Sequence, residues 1–249
     1  MTARTCLVAG ASRGIGAAIA ATLSADGHRV ALLARDGAAL DKVAAELPGP
    51  ALAIRADVTG ELEPAFARIE DEWGPVEVLV ANAGAGVAAS LVQTSDEDWA
   101  RMLELNLTAP FRLIRRAAPA MVEQGWGRIV VIASVVAKRG EAQVVAYTAA
   151  KHGALGLVRA AAAELAHTGV TVNAVCPGYV DSPMTDTTVA AIAERTGRSA
   201  DDARAALERR QPIGRLIEPD EVAAAVRYCV DNAAVTGQGL NVDGGAVQS

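Results

Sequence analysis

Short apolar runs alternate along the chain with longer segments rich in alanine, leucine, glutamate and arginine. The short runs are apolar throughout, as strands buried on both faces of a sheet are. They predict strands at Thr5–Ala9, Arg29–Ala34, Ala51–Arg55, Val76–Ala81, Gly127–Ala133, Thr171–Cys176 and Gly239–Val242. The longer segments predict helices at Gly14–Asp26, Gly37–Leu47, Glu61–Trp73, Asp96–Gln124, Ala146–Thr168 and Asp220–Asp231.

Strands that alternate with helices form right-handed βαβ units, so the pattern predicts a parallel sheet. Seven such strands indicate an α/β, doubly wound Rossmann fold with helices on both faces of the sheet. We find no linker and no internal repeat, and we predict a single domain over residues 1–249. Ligands of such folds bind at the carboxyl ends of the strands, near the switch in strand order.

One polar region, Thr185–Arg215, interrupts the alternation between the sixth and seventh strands. We predict two short helices in it, starting near Thr188 and Ser199, because Ser-Ala-Asp-Asp is typical of a helix start. Since the region lies beside the predicted ligand edge, we expect it to be a lid over the substrate. The alternative is a helical excursion that only covers apolar sheet.

Composition and charge exclude several classes of protein. The net charge of -6 argues against nucleic acid or an anionic membrane as the main partner. Cys6, Cys176 and Cys229 have neither disulfide nor metal-ligand spacing, so we expect buried thiols and no metal site. No apolar run approaches transmembrane length, and Met1–Arg4 leads directly into a strand. We therefore expect a cytoplasmic protein.

A glycine-rich turn joins the first predicted strand to the first predicted helix. Its Gly-x3-Gly-x-Gly spacing allows a tight turn, close approach of a pyrophosphate, and close packing of helix on strand. The helix N-terminus offers free N–H groups to phosphates. An ordinary turn is the alternative, but the strand and helix on either side favour a dinucleotide site. The predicted contacts are Gly10, Ser12, Arg13, Gly14, Ile15 and Gly16.

The end of the second strand bears on the choice of dinucleotide. It lacks a carboxylate where one would hold the adenosine ribose, and Arg35 follows instead. With Arg13, it is suited to a 2′-phosphate, so NADP(H) is favoured over NAD(H). Asp36 is the alternative, because a shift in register would let its carboxylate serve a ribose.

The next two strand ends supply further cofactor candidates. Asp57, followed by Val58, either accepts a hydrogen bond from adenine or caps a turn. The small residues of Asn82-Ala83-Gly84 end the fourth strand, where backbone has to pass close to the cofactor.

Three residues form a candidate catalytic group. Ser134 ends the fifth strand, and Tyr147 and Lys151 lie one helical turn apart. A neighbouring ammonium favours an ionised phenol, so Tyr147 is suited to exchange a proton, while Ser134 is suited to bond a substrate oxygen. A Tyr-x3-Lys pair alone is more often a surface pair. Here Ser134 at a strand end and the glycine turn of the same sheet favour catalysis.

Together these motifs resemble the short-chain dehydrogenase/reductase family over almost the whole chain. The resemblance rests on Gly10-x3-Gly14-Ile15-Gly16, Asn82-Ala83-Gly84, Asn106, Ser134, Tyr147-x3-Lys151 and Pro177-Gly178. It implies that Tyr147 is the general acid in reduction and the general base in oxidation. It also implies that Lys151 lowers the pKa of the tyrosine and holds the nicotinamide ribose, while Ser134 orients the carbonyl.

The resemblance gives roles to residues that carry no signal of their own. Asn106 supports a water that passes protons from Lys151 to solvent. Pro177 and Gly178 shape the nicotinamide pocket, Val180 contacts the carboxamide through its backbone, and Ser182 stands where the family usually has threonine. A homotetramer or homodimer is also implied.

Two residues depart from the family's pattern. Ala9 precedes the first glycine, where threonine is usual, and Ala81 replaces the first asparagine of an Asn-Asn-Ala-Gly motif. We expect each change to remove one side-chain hydrogen bond, worth about 1 kcal/mol.

The segments Tyr147–Gly178 and Thr236–Gly245 are similar to 3-oxoacyl-thioester reductases and aromatic-polyketide ketoreductases. This implies reduction of a ketone on an acyl carrier protein, on coenzyme A or in a polyketide. Six basic residues are candidates for the phosphates of such a carrier, although a solvated charged face is the alternative. They are Lys138, Arg139, Arg195, Arg198, Arg209 and Arg210.

Two other functions stay open from the sequence. One is an NAD-dependent dehydrogenase that oxidises a secondary alcohol or a hydroxyacyl-CoA. The other is a cofactor-binding sensor without turnover, against which the intact catalytic group argues.

Overall fold

The computed structural model describes residues 2–248, so Met1 and Ser249, the two ends of the predicted domain, lie outside it. Its strands are β1 (Thr5–Ala9), β2 (Arg29–Ala34), β3 (Ala51–Arg55), β4 (Val78–Ala81), β5 (Gly127–Ile132), β6 (Val170–Pro177) and β7 (Gly239–Val242). All pair in parallel, in the order β3-β2-β1-β4-β5-β6-β7. The predicted doubly wound sheet is confirmed, and its strand order switches between β1 and β4.

Helices cover both faces of this sheet. They are α1 (Gly14–Ala25), α2 (Gly37–Glu46), α3 (Glu63–Trp73), α4 (Asp96–Leu103), α5 (Ala109–Glu123), α6 (Val145–Leu165), α7 (Pro183–Thr196), α8 (Ala200–Glu208) and α9 (Pro219–Asp231). Residues of α1, α2 and α9 share one apolar core with the sheet, and residues of α3, α5 and α6 share the other.

Strand β1 shows why the strand sequences are apolar throughout. Leu7 and Ala9 face one core, and Cys6 and Val8 face the other. Successive side chains of a strand point to opposite faces, so a strand covered on both faces needs apolar residues at every position.

The prediction of one continuous helix over Asp96–Gln124 is wrong. A π-helical turn at Glu104–Thr108 separates α4 from α5. Pro110 lacks the N–H that a regular α-helix would donate to the carbonyl of Asn106, which weakens the regular hydrogen-bond ladder at this point. The wider turn holds Asn106 with none of its surface exposed.

The polar region between β6 and β7 folds as two helices with a small core of their own. Helix α7 begins at Pro183, earlier than the predicted start near Thr188, because proline is suited to the first turn of a helix. The predicted start at Ser199 is confirmed, since its hydroxyl accepts a hydrogen bond from the N–H of Asp202 at 3.1 Å. The two helices pack on each other through Val189, Ala203 and Leu207, and Leu216, which follows the region, completes this cluster.

The three cysteines are buried free thiols, as predicted. Within residues 2–248, no group of three histidine, cysteine or acidic side chains is arranged to hold a metal ion. None of the helices in that range combines the length and the apolar character needed to cross a membrane.

Candidate active site

The turn after β1 has no room for a side chain at Gly10 or Gly16. Gly10 and Gly14 have φ angles of 76° and 56°, a region that favours glycine. A β-carbon on Gly10 would lie 2.7 Å from the Cα of Ala83, and one on Gly16 would overlap the carbonyl oxygen of Gly10. The backbone is therefore bare at the point where the free N–H groups of α1 face outward.

Asn82 ties this turn to the neighbouring strand. Its side chain donates a 2.9 Å hydrogen bond to the carbonyl of Gly10, whose N–H donates to Leu33 at 2.7 Å. The carboxyl ends of β2, β1 and β4 are thus joined at the switch in strand order.

Three charged residues stand at the ends of β2 and β3. Arg35 is 82% exposed at its side chain, and its guanidinium lies 3.9 Å from the carboxylate of Asp57. Asp57 also accepts hydrogen bonds from the N–H and hydroxyl of Thr59, which lower the pKa of its carboxyl. Asp57 therefore caps a turn, one of its two predicted roles. Asp36 caps α2 by accepting a hydrogen bond from Ala39.

The remaining predicted contacts near this cleft differ in exposure. Arg13 is exposed at the start of α1, and Ser12 and Ile15 are half-buried. Val58 is 5% exposed and its side chain belongs to the apolar core, so only its backbone is available to a ligand.

The structure brings Ser134, Tyr147 and Lys151 together at the carboxyl end of β5. The side chain of Ser134 lies close enough to the hydroxyl of Tyr147 to lower the pKa of the phenol. The ammonium of Lys151 donates to the carbonyl of Ile132 at 2.8 Å and lies 5.5 Å from the centre of the Tyr147 ring. Lys151 is only 4% exposed, so this is no solvated surface pair.

Burial governs the titration of both groups. It raises the pKa of Tyr147 to about 12, against the opposing effect of the Ser134 hydrogen bond. It lowers the pKa of Lys151 from 10.5 to about 8. The expected lowering of the tyrosine pKa by Lys151 is not seen in this structure, where burial raises that pKa to about 12, and the phenol keeps its proton at neutral pH.

Asn106 points an unpaired oxygen toward the same group. Its Nδ2 donates to the carbonyls of Ala85 and Met102, both at 3.0 Å, while Oδ1 is buried without a hydrogen-bond partner among the described residues. A β-carbon on Gly84 would lie 2.9 Å from this oxygen and 3.6 Å from Nζ of Lys151. Buried acceptors are normally satisfied by water or ligand, so this space is suited to the predicted proton path.

The segment after β6 returns to the glycine turn. Ser182 approaches Gly14 closely, because a β-carbon on Gly14 would lie 3.5 Å from the Cβ of Ser182. The N–H of Gly178, the residue after Pro177, donates to Val242 at 3.0 Å. Val180 is 4% exposed, which leaves chiefly its backbone to meet a ligand.

Comparison of the chain with known proteins shows the family to which it belongs. Residues 4–193 match the sequence model of the family described as short chain dehydrogenase. The chain belongs to this family. A crystal structure of a variant of actinorhodin polyketide ketoreductase with NADPH matches with a TM-score of 0.95 and 40% identity, over 98% of this chain and 97% of that chain.

Two relatives of this short-chain dehydrogenase are named for different reactions. The 3-oxoacyl-[acyl-carrier-protein] reductase of Mycobacterium tuberculosis is 37% identical over 246 residues, 97% of this chain and 92% of its own. The D-beta-hydroxybutyrate dehydrogenase of Cupriavidus necator is 36% identical over 257 residues, 99% of each chain.

Several residues around the site of this short-chain dehydrogenase were missed by sequence reasoning. Glu141 accepts hydrogen bonds from Arg139 at 3.3 Å and from Arg210 at 2.8 Å, which joins the loop before α6 to the end of α8. Arg210 also donates to the hydroxyl of Tyr179 at 3.2 Å. Arg210 is 69 residues from Glu141 and 31 from Tyr179 in the chain, and these separations follow no periodic spacing. Gln211, a buried glutamine inside the polar region Thr185–Arg215, was missed as well.

Proposed function

We propose that this protein reduces a ketone to a secondary alcohol with NADPH. We propose that the ketone belongs to a 3-oxoacyl thioester, on an acyl carrier protein or coenzyme A, or to a polyketide. The observation that carries this proposal is the convergence of Ser134, Tyr147 and Lys151 at the carboxyl end of β5, beside a dinucleotide-type glycine turn. The ketoreductase and 3-oxoacyl reductase among the relatives support the substrate class.

The residues present fit NADPH, which supplies the hydride when bound. The bare backbone at Gly10, Gly14 and Gly16 is suited to a pyrophosphate at the N-terminus of α1. Arg35 and Arg13 are exposed and available to a 2′-phosphate. Asp36 caps its own helix, so the alternative of a carboxylate directed at a ribose loses support. The relative solved with NADPH agrees with this preference.

The chain's own residues account for the movement of the proton. Ser134 holds the carbonyl oxygen of the substrate beside the phenol of Tyr147. As negative charge develops on that oxygen, Tyr147 donates its proton to it. The nearby ammonium of Lys151 stabilises the phenolate that results, and a water held by Asn106 returns a proton through Lys151. In the oxidative direction Tyr147 accepts the proton instead.

A second candidate is an NAD-dependent dehydrogenase that oxidises a secondary alcohol or a hydroxyacyl-CoA. The D-beta-hydroxybutyrate dehydrogenase among the relatives supports it. A sensor without turnover remains the distant alternative, and it gives no reason for Ser134 and Tyr147 to meet a buried Lys151.

The proposal extends to the organisation of the protein. Residues 185–215 form the substrate lid of a single domain, and the chain assembles as a homotetramer or homodimer in the cytoplasm. Size-exclusion chromatography with light scattering tests the assembly, and cell fractionation tests the location.

The test of function is a panel of substrates assayed with both cofactors. Acetoacetyl thioesters of coenzyme A and acyl carrier protein, and cyclic ketones, are each mixed with NADPH or NADH, and 3-hydroxybutyrate is mixed with NADP⁺ or NAD⁺. We expect NADPH to be consumed fastest with a thioester. Preferred reduction of NAD⁺ by 3-hydroxybutyrate would support the second candidate, and no turnover with any pair would support the sensor.

A further inference from the structure

Gln211 lies at the end of the region between β6 and β7, and only 1% of its surface is exposed. Its Oε1 accepts a hydrogen bond from the N–H of Tyr179 at 2.8 Å. Its Nε2 donates to the carbonyl oxygens of Tyr179 at 3.1 Å and Arg215 at 2.6 Å. The side-chain amide therefore pairs with both backbone groups of Tyr179, as a neighbouring strand would.

Gly178 shows how close this amide lies to the segment after β6. A β-carbon on Gly178 would overlap Oε1 of Gln211 and would lie 3.1 Å from the Cα of Asp243. Gly178 is not among the described glycines with positive φ. The glycine is therefore required by the space that Gln211 takes, not by an unusual backbone conformation.

Backbone contacts fix the position of Gln211 itself. Its N–H donates to Glu208 at 3.0 Å, and its carbonyl accepts from Gly214 at 2.8 Å. The N–H of Ile213 donates to Gly244 at 3.2 Å, which attaches this turn to the segment after β7. These hydrogen bonds hold the backbone of Gln211 in place relative to the sheet.

The segment that Gln211 supports faces the dinucleotide cleft. The N–H of Ile217 also donates to the carbonyl of Tyr179, at 2.9 Å, so this oxygen accepts from both Ile217 and Gln211. Three residues further on, Ser182 lies against Gly14 of the glycine turn.

We propose that Gln211 is a positioning residue for the nicotinamide half of the cofactor, acting through the backbone of residues 178–180. This inference rests on the proposed function, in which these residues hold that half of NADPH. Without the amide, the N–H of Tyr179 loses its partner and its carbonyl loses one of two donors, so the segment no longer keeps one conformation. The adenosine half, at the ends of β2 and β3, does not depend on Gln211.

The test compares a complete cofactor with its adenosine half by isothermal titration calorimetry. Gln211→Met keeps the length of the side chain and removes its hydrogen bonds. We expect its Kd for NADPH to rise about tenfold, the effect of losing roughly one hydrogen bond. The Kd for 2′,5′-ADP should stay within about twofold of the wild type. Gln238→Met is the matched control, because Gln238 is exposed and its side chain donates only to Thr236.

Each outcome bears on the inference. Equal losses for NADPH and 2′,5′-ADP, or no loss for either, overturn it. A wild type that fails to bind NADPH overturns both this inference and the proposed function. If Gln211→Met does not fold, Gln211→Glu carries the same comparison, since it keeps the acceptor for Tyr179 and loses both donors. Hydrogen exchange at the N–H of Tyr179 should be faster in Gln211→Met and unchanged in Gln238→Met.

Discussion

Ala9 and Ala81 are direct neighbours across β1 and β4, and both side chains are buried in the same apolar core. These are the two positions where the chain departs from the family's threonine and asparagine. We expected each departure to cost one hydrogen bond. Because the two positions face each other, both polar groups are absent together, and replacing both partners by apolar groups is often nearly neutral.

Restoring the polar residues one at a time tests this pairing. Ala9→Thr and Ala81→Asn should each lower the free energy of unfolding by about 1–3 kcal/mol, because each buries a polar group without a partner. The double variant should lose less than the sum of the two, since each new group gains the other as partner. Urea unfolding measures all three. Ala31→Thr with Ala81→Asn is the control, because Ala31 lies in the same core on β2 and should show additive losses.

Tyr147→Phe should lower turnover at least about 100-fold, the lower limit for the loss of an acid–base group. The aromatic ring stays in its buried place, so binding of NADPH should persist. Steady-state kinetics and a fluorescence titration measure the two effects. Tyr228→Phe on α9 is a suitable control, because Tyr228 is exposed. Unchanged turnover in Tyr147→Phe would exclude the proposed proton donor.

The buried Lys151 should make stability depend on pH. Burial lowers its pKa from 10.5 to about 8, so between these values the unfolded chain holds a proton that the folded protein has released. The free energy of unfolding should therefore rise with pH across this window. Tyr147 acts in the opposite direction above pH 10, because its folded pKa is raised to about 12.

Urea unfolding of the wild type and of Lys151→Met, measured near pH 8 and near pH 10.5, gives the contribution of this lysine to stability. The free energy of unfolding of the wild type, relative to that of the variant, should increase from the lower pH to the higher one. Lys42→Met, at an exposed position of α2, should show no such trend. A constant difference between wild type and Lys151→Met would mean that burial does not alter the protonation of this lysine.

The sequence predicted the sheet and the catalytic group because both depend on local signals. Apolar runs mark the strands, and Ser134, Tyr147 and Lys151 carry distinctive chemistry at strand ends and at helical spacing. The π-helical turn at Asn106 was missed although Pro110 lies inside the predicted helix, because a proline marks a weak point of a helix but does not show that the turn there becomes π-helical.

Residues that act through long-range contacts gave no signal in the sequence. Gln211 meets Tyr179 across 32 residues of chain, and Glu141 meets Arg210 across 69. Such pairs follow no period, and glutamine and glutamate are common on surfaces, so only the folded chain shows that they meet.

Arg35 should set the preference for NADPH. Arg35→Ala should lower kcat/KM for NADPH at least about tenfold, the effect of removing a charge-assisted contact to a 2′-phosphate. The value for NADH should change little, because NADH lacks that phosphate. Arg101→Ala on α4, where Arg101 pairs only with neighbouring Asp98, should leave both values unchanged. An equal loss for both cofactors would place Arg35 outside the phosphate site.

Glu141 should hold residues 185–215, the proposed lid, against the loop before α6. Its side chain is 20% exposed and contacts Arg139 and Arg210, so Glu141→Gln weakens two charge-assisted contacts at once. We expect cleavage of residues 185–215 by a protease to become faster and KM for the thioester to rise a few-fold. The Kd for NADPH should stay the same, because Gln211 still anchors the base of the region.

Glu208→Gln is the matched control for this prediction, because Glu208 pairs only with Arg204, one turn away on the same helix. Pairs of that kind contribute about 0.3–0.5 kcal/mol, too little to open the region. Raised salt should shift the wild type toward the behaviour of Glu141→Gln, since Arg210 is half-exposed and its attraction to Glu141 is screened. If Glu141→Gln resists the protease as well as the wild type does, the contact with Arg210 does not restrain the lid.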